Sequence, residues 1–387
     1  MSSVSKPLHL AVALDGTGWH PASWREPDAR PDELFSPRYW TGLATEAERG
    51  LLDFVTFEDG LRLQSEDPLH PDDRTDRVRG RLDATLIASR VAPRTRHIGL
   101  VPTVIATHTE PFHASKAIAT LDYVSSGRAG VRVQVSASRD AAAHFGRRSA
   151  ADLATDDLLD EAADYVEVVR RLWDSWEDDA EIRDVATGRF VDRKKLHYID
   201  FEGARFFVKG PSITPRPPQG QPIVAALGHG EPAYRLIASS ADVGFVTPRD
   251  AADAAGIVDA IAGHRGGASP VRVFADLVVV LDDSPQAAAS RLQRLNEVSG
   301  SEFTSDAHVF AGTPHQLADL LQQWQTAGIS GFRLRPATLP HDLVHITGGL
   351  VPELQRRGVF RSAYAGATLR DTLGLARPAN RYSTAEN

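Results

Sequence analysis

The stretch Leu8-His9-Leu10-Ala11-Val12-Ala13-Leu14 decides the fold class through what comes after it. Its apolar run fits a β-strand, yet no Gly-x-Gly-x-x-Gly fingerprint follows, as a dinucleotide-binding open sheet would require. Instead comes a Pro-rich loop with Trp19, His20, Trp24 and Arg25, then helical spacing over 38–49. Further strand patterns stand at 53–57, 98–101, 130–135, 223–227, 242–246, 271–281 and 331–334. In the fourth of these, Val131, Val133 and Val135 share one face and Arg132 and Gln134 the other. Helical patterns separate the strands, at 82–91, from Pro111 to near 123, and from starts near Pro232, Arg249, Ser284 and Pro314. The clearest helix carries Leu158, Ala162, Tyr165, Val166, Val169, Leu172 and Trp173 at 3.6-residue spacing. Eight such units predict an α/β fold, a parallel (β/α)₈ TIM barrel, with residues 1–387 as a single domain. Residues 180–221 read as an insertion with a hairpin over 196–208, and the Arg-rich tail at 358–387 is expected to wrap the surface or an adjacent subunit.

Composition narrows the functions. The 387 residues carry 43 Lys plus Arg against 51 Asp plus Glu, a net charge of -8, with no basic block to meet nucleic acid phosphates. No run approaches the roughly 20 apolar residues of a membrane span, and the polar first residues lack a cleavage pattern, so a cytoplasmic location is expected. Without cysteine there are no disulfides, thiolate metal sites, iron–sulfur clusters or cysteine nucleophile. Neither Gly-x-Ser-x-Gly nor a Walker loop occurs. No His-x-x-x-His pair with a carboxylate partner falls on a well-defined helix pattern, so no metal is expected.

In a barrel of this kind the carboxyl ends of the strands build the active site. Those ends hold Asp15, Glu58 and Asp59, Thr103, Gln134 and Ser136, and Gly228-His229-Gly230. The glycine-containing turn directly precedes a helix, where free amides and the helix dipole favour a phosphate; an ordinary strand-to-helix turn would also use these glycines. A carboxylate at Glu58 or Asp59 either accepts hydrogen bonds from a ligand or caps the next loop. His20, His108, His113, His144 and His229 lie near strand ends or the loops behind them.

Several collinear segments resemble the bacterial luciferase-like flavin monooxygenases, in the branch of nitrilotriacetate, dibenzothiophene-sulfone and long-chain alkane monooxygenases. They include Ala47-Glu48-Arg49-Gly50-Leu51-Leu52-Asp53, Phe57-Glu58-Asp59-Gly60, Glu110-Pro111-Phe112-His113, Gly127-Arg128-Ala129-Gly130, Leu172-Trp173-Asp174-Ser175-Trp176 and Pro217-Pro218-Gln219-Gly220. The resemblance implies a TIM barrel that takes reduced FMN from a separate flavin reductase and uses O₂ to oxygenate a small organic substrate, as a homodimer or homotetramer. It places Asp59 and Thr103 at the flavin ring and ribityl chain, and Gly228, His229 and Gly230 at the phosphate. Three positions depart from the family pattern. His229 and Gly230 stand where serines are usual, Val131-Arg132 replaces Trp-Asn after Gly130, and Leu158-Leu159 replaces an Arg-Tyr pair. Arg132, if it faces inward, is expected to meet the flavin, an acidic substrate or Asp59; if outward, it lies among the helices. The departures leave two alternatives open: a flavin-free barrel acting as a binding or regulatory protein, and a deazaflavin-dependent oxidoreductase of the same superfamily. Substrate recognition is expected from the loops at 19–38, 61–77 and 180–221; their Arg62, Arg74 and Arg77 suit a carboxylate or sulfonate, although a solvated loop is the commoner reason for such arginines.

Overall fold

The computed structural model describes residues 7–65, 67, 71–265 and 271–383. Its main strands are β1 (His9–Leu14), β2 (Phe54–Phe57), β3 (Gly99–Ile105), β4 (Gly130–Gln134), β5 (Ile223–Gly228), β6 (Val243–Val246), β7 (Arg272–Leu281) and β8 (Gly331–Pro336). Each pairs in parallel with the next, and β8 returns to β1 with His9 opposite Gly331. The closed parallel barrel read from the alternation is therefore present, and closure leaves no exposed edge among these strands. Around it run α1 (Pro37–Arg49), α2 (Ala84–Val91), α3 (Pro111–Val124), α4 (Arg139–Phe145), α5 (Thr155–Asp174), α6 (Glu231–Ser240), α7 (Ala251–Arg265), α8 (Pro285–Ser299) and α9 (Pro314–Thr326). Local chemistry sets several starts: Ser36 accepts from Arg38 N ahead of Pro37, and Thr313 and Gln316 form a capping box around Pro314. Trp173 seals α5 against α3 by donating to Ser115 O at 3.0 Å, and Trp176 covers the next loop by donating to Ser212 O at 2.8 Å.

Period-two alternation divides the strand residues between two cores. Leu10, Val12, Val131, Val133 and Leu334 face outward and pack under the helices. Inside, Ala11, Phe54, Val101, Ile223, Ala225, Val243, Phe245 and Phe274 fill the N-terminal half. The tail corrects an expectation. Rather than wrapping only the outside, it sends Leu369 and Leu373 into that inner core, and the Arg370 guanidinium bonds Gln221 O at 2.6 Å and Asp242 at 2.8 Å. The helix over Leu369–Thr372 holds four residues, Leu-Arg-Asp-Thr, too few to show periodicity. The insertion forms two small antiparallel pairs, Glu181–Asp184 with Arg189–Val191 and Phe201–Glu202 with Phe207–Val208, the second within the hairpin expected at 196–208. A further strand, His308–Gly312, pairs in parallel with the end of β7. Residues 1–6 and 384–387, which belong to the expected polar start and tail, lie outside the described residues.

Candidate active site at the barrel mouth

The C-terminal half of the interior is built from charges. Arg132 faces inward, because the alternation of β4 turns Val131 and Val133 to the helices. Its guanidinium bonds Glu58, Thr103 Oγ1 at 3.1 Å and Gln134 Oε1 at 2.8 Å. Glu58 reaches on to Arg333 at 3.2 Å, Arg333 Nε donates to Asp276 at 2.8 Å, and Asp276 accepts from Arg335 Nε at 2.9 Å. Arg335 donates to Asp306 at 2.6 Å, and Asp306 stands 3.5 Å from His229 Nε2. A ladder of alternating sign thus runs from β4 through β2, β8 and β7 to the turn after β5. Aromatic faces support it: Arg333 lies 4.1 Å from the Phe245 ring centre and Arg335 4.5 Å from that of Trp19. Burial would raise the Glu58 carboxyl, but the Arg132 and Arg333 guanidiniums outweigh it and hold it at about 2. Asp306 is likewise pulled down to about 2, against its burial, by Arg335.

Above this floor stands a half-exposed rim of Asp59, Gln134, Leu227, His229, Gly230 and Thr247. Asp59 accepts from Gly60 N at 2.7 Å and from Ala84 N at 2.9 Å, so it caps α2 and still has free lone pairs. Burial, outweighing these amides, raises its pKa. Gln134 turns its oxygen to Arg132; its NH₂ makes no hydrogen bond among the described residues. At Gly228 a Cβ would sit 2.8 Å from Ile237 Cδ1 on α6, so glycine lets the strand end lie close against the helix. Gly230 opens α6 with no side-chain cap, and a Cβ there would meet nothing within 4 Å. The first turn of α6 therefore leaves the Glu231 and Ala233 amides without a side-chain cap, Pro232 having no N–H, beside the imidazole of His229, which bonds Thr247 Oγ1 at 3.1 Å.

The sequence-predicted residues divide between the two layers. Asp59, Gly228, His229 and Gly230 gather at the rim; Thr103 and Arg132 lie in the floor, with the Thr103 hydroxyl oxygen accepting from Arg132. Arg132 pairs with Glu58, not with Asp59. Leu158 is buried and Leu159 packs against the outer core. Asp276, Arg333, Arg335 and Asp306 were not anticipated, although inward-facing charges on apolar strands were there to be read in Phe332-Arg333-Leu334-Arg335 and Ala275-Asp276-Leu277.

Among the histidines, His20 is fixed in one tautomer, accepting from Ala22 N on Nδ1 at 3.1 Å and facing Asn296 Oδ1 with Nε2 at 3.0 Å. His108 stacks on Phe145 at 5.1 Å, and His113 and His144 are exposed on helices. A cavity of about 410 Å³ opens between the loop after β1 and residues 299–304, lined by Trp19, His20, Arg77, Arg79 and Phe303 among others. Arg62 and Arg74 bond within their own loop, to Asp67 O and to Asp76. The insertion supplies none of that lining; Ile199 and Phe201 pack on Val168 and Leu172 of α5.

Residues 17–328 match the family described as luciferase-like monooxygenase. The chain is 32% identical to N-acetyl-S-(2-succino)cysteine monooxygenase of Bacillus subtilis, over 99% of this chain and 100% of that protein. It is 30% identical to nitrilotriacetate monooxygenase component A of Aminobacter aminovorans, over 97% of this chain and 98% of that protein. Among solved structures it resembles a long-chain alkane monooxygenase with a TM-score of 0.84 and 26% identity, covering 95% of this chain and 96% of that one. On a closed parallel barrel whose polar mouth lies at the strands' carboxyl ends, these matches have one meaning: the chain belongs to the luciferase-like monooxygenase family.

Proposed function

We propose that this chain is the oxygenase component of a two-component monooxygenase, receiving reduced FMN from a separate reductase and using O₂ to oxygenate a small organic substrate. The observation that carries this reading is the open α6 N-terminus on the rim of a mouth whose floor is already charge-paired. An FMN phosphate fits there: it meets main-chain amides, the positive end of the helix dipole and His229. Toward the ring, Asp59 offers acceptors, Gln134 offers an uncommitted NH₂ and Leu227 offers an apolar wall. Arg132 acts from beneath, by holding Glu58 and Gln134 in place, and Thr103 by accepting from Arg132.

When bound, reduced FMN supplies the electrons that take one atom of O₂ to water while the other enters the substrate. The chain orients and excludes water. Its ladder fills the barrel beneath the rim, and the Trp19 indole on Arg335 closes the side toward the 410 Å³ cavity, which suits a small substrate. Anaerobic titration with reduced FMN should quench tryptophan fluorescence with a micromolar dissociation constant. A folded chain that binds none contradicts the reading. It would instead support a flavin-free binding or regulatory barrel. Binding of a deazaflavin alone would assign hydride transfer without O₂.

A further inference from the structure

Away from the rim groups, the exits of β7 and β8 bring two histidines and two carboxylates together. The loop after β7 carries Asp282 and Asp283, and α10 (His341–His345) follows β8. A separation of four residues puts both imidazoles on one helix face, with ring centres 4.4 Å apart. One ligand atom from each of Asp282, His341 and His345 lies within 4.8 Å of the other two. His341 Nε2 stands 3.9 Å from Asp282 Oδ2 and donates to Leu281 O at 3.2 Å, a hydrogen bond that a metal would have to replace, and His345 Nε2 stands 3.7 Å from Asp283 Oδ1. Ligands bonded at about 2.0–2.1 Å to a tetrahedral ion are about 3.4 Å apart, so small side-chain shifts bring Asp282, His341 and His345 onto one centre, which Asp283 reaches from the His345 side.

Two features beyond proximity point to a metal. His345 Nδ1 donates to His341 O at 3.1 Å, which fixes the tautomer and leaves the Nε2 lone pair toward Asp283, the outer arrangement usual for metal-binding histidine. The backbone beneath is already locked. Asp342 is fully buried, accepts from Leu281 N at 2.8 Å and Thr338 N at 2.7 Å, and pairs with Arg291, which also stands 3.5 Å from Asp282. Asp342 and Asp282 thus share the Arg291 cation, and the exposed Asp283 adds the further negative charge that would offset a divalent ion.

We propose that Asp282, His341 and His345, with the exposed Asp283 as fourth ligand, form a binding site for a transition-metal ion of the Zn²⁺ class, clipping together the exit loops of β7 and β8. Mixed imidazole and carboxylate donors suit Zn²⁺ better than Mg²⁺ or Ca²⁺, which prefer oxygen alone. The proposal does not depend on flavin binding.

Calorimetric titration of the metal-stripped full chain with Zn²⁺ tests it. One ion per chain is expected, with the unfolding midpoint rising by about 3 °C at a hundredfold excess over the dissociation constant. His345→Ala and His341→Ala should each weaken binding on the order of 100-fold. His315→Ala should leave it intact, although His315 also lies near two carboxylates, Asp319 and Glu353. Should either helix variant fold poorly, Asp283→Asn changes a fully solvated side chain and should still weaken binding. No Zn²⁺ binding by the wild type, or binding unchanged in His341→Ala, His345→Ala and Asp283→Asn, overturns the site.

Discussion

The two halves of the barrel interior are filled with opposite materials. Around Phe54, Phe245 and Phe274 the N-terminal half is apolar and stoppered by Leu369 and Leu373, whereas the C-terminal half is the ladder from Arg132 to Asp306. Apolar burial closes the first half through area removed from water. The second half bears the desolvation of six charged side chains, and apolar residues of similar volume would often be at least as stable there. A charged floor is therefore poorly explained as a stability device. It is better explained as a rigid support, since each guanidinium has a fixed fork of donors that sets where Glu58 and Gln134 stand beneath the rim.

The contrast can be broken from either end. The largest effect is expected from Asp276→Ala, which strips both Arg333 and Arg335 of their shared carboxylate; urea unfolding should show a loss of about 3–5 kcal/mol. A loss below about 1 kcal/mol would mean that the ladder is not energetically coupled. Leu369→Ala should cost about 3 kcal/mol by the same assay while leaving reduced-FMN affinity unchanged, because it empties only the apolar half. Acid should separate the halves by a smaller step. Glu58 lies below its ordinary value of 4.5 in the folded chain, so its stabilisation is present above that value and fades as pH falls toward about 2. Glu58→Gln should flatten the stability profile in that window, and an unchanged profile would remove Glu58 from the ladder's energetics. Smallest is Asp59→Ala, at about 1 kcal/mol for the lost contacts at the start of α2, together with weaker reduced-FMN binding. Unchanged affinity would take Asp59 out of the site.

Alternation in the chain made every barrel strand legible, because each strand turns one face to helices and the other inward. The rim was legible too, since Asp59 and Gly228-His229-Gly230 end strands in a fold that places chemistry there. The floor was not. Its partners are far apart in sequence, Arg333 meeting Glu58 and Asp276 across the barrel, and β4 alone left both orientations of Arg132 open. The inward one follows once Val131 and Val133 are seen under helices. The His341 and His345 pair was missed for another reason. Its helix spans only five residues, and Asp282 reaches it through the parallel order of β7 and β8 rather than through any local spacing.

The most direct test is a crystal structure of the chain grown with FMN. The expected density has the phosphate on the α6 amides beside His229 and the ring near Asp59 and Gln134, above an intact Arg132–Glu58 pair. An empty α6 N-terminus, or a ring that has displaced Arg132 from Glu58, would contradict the reading of a rigid charged floor beneath a flavin-binding rim.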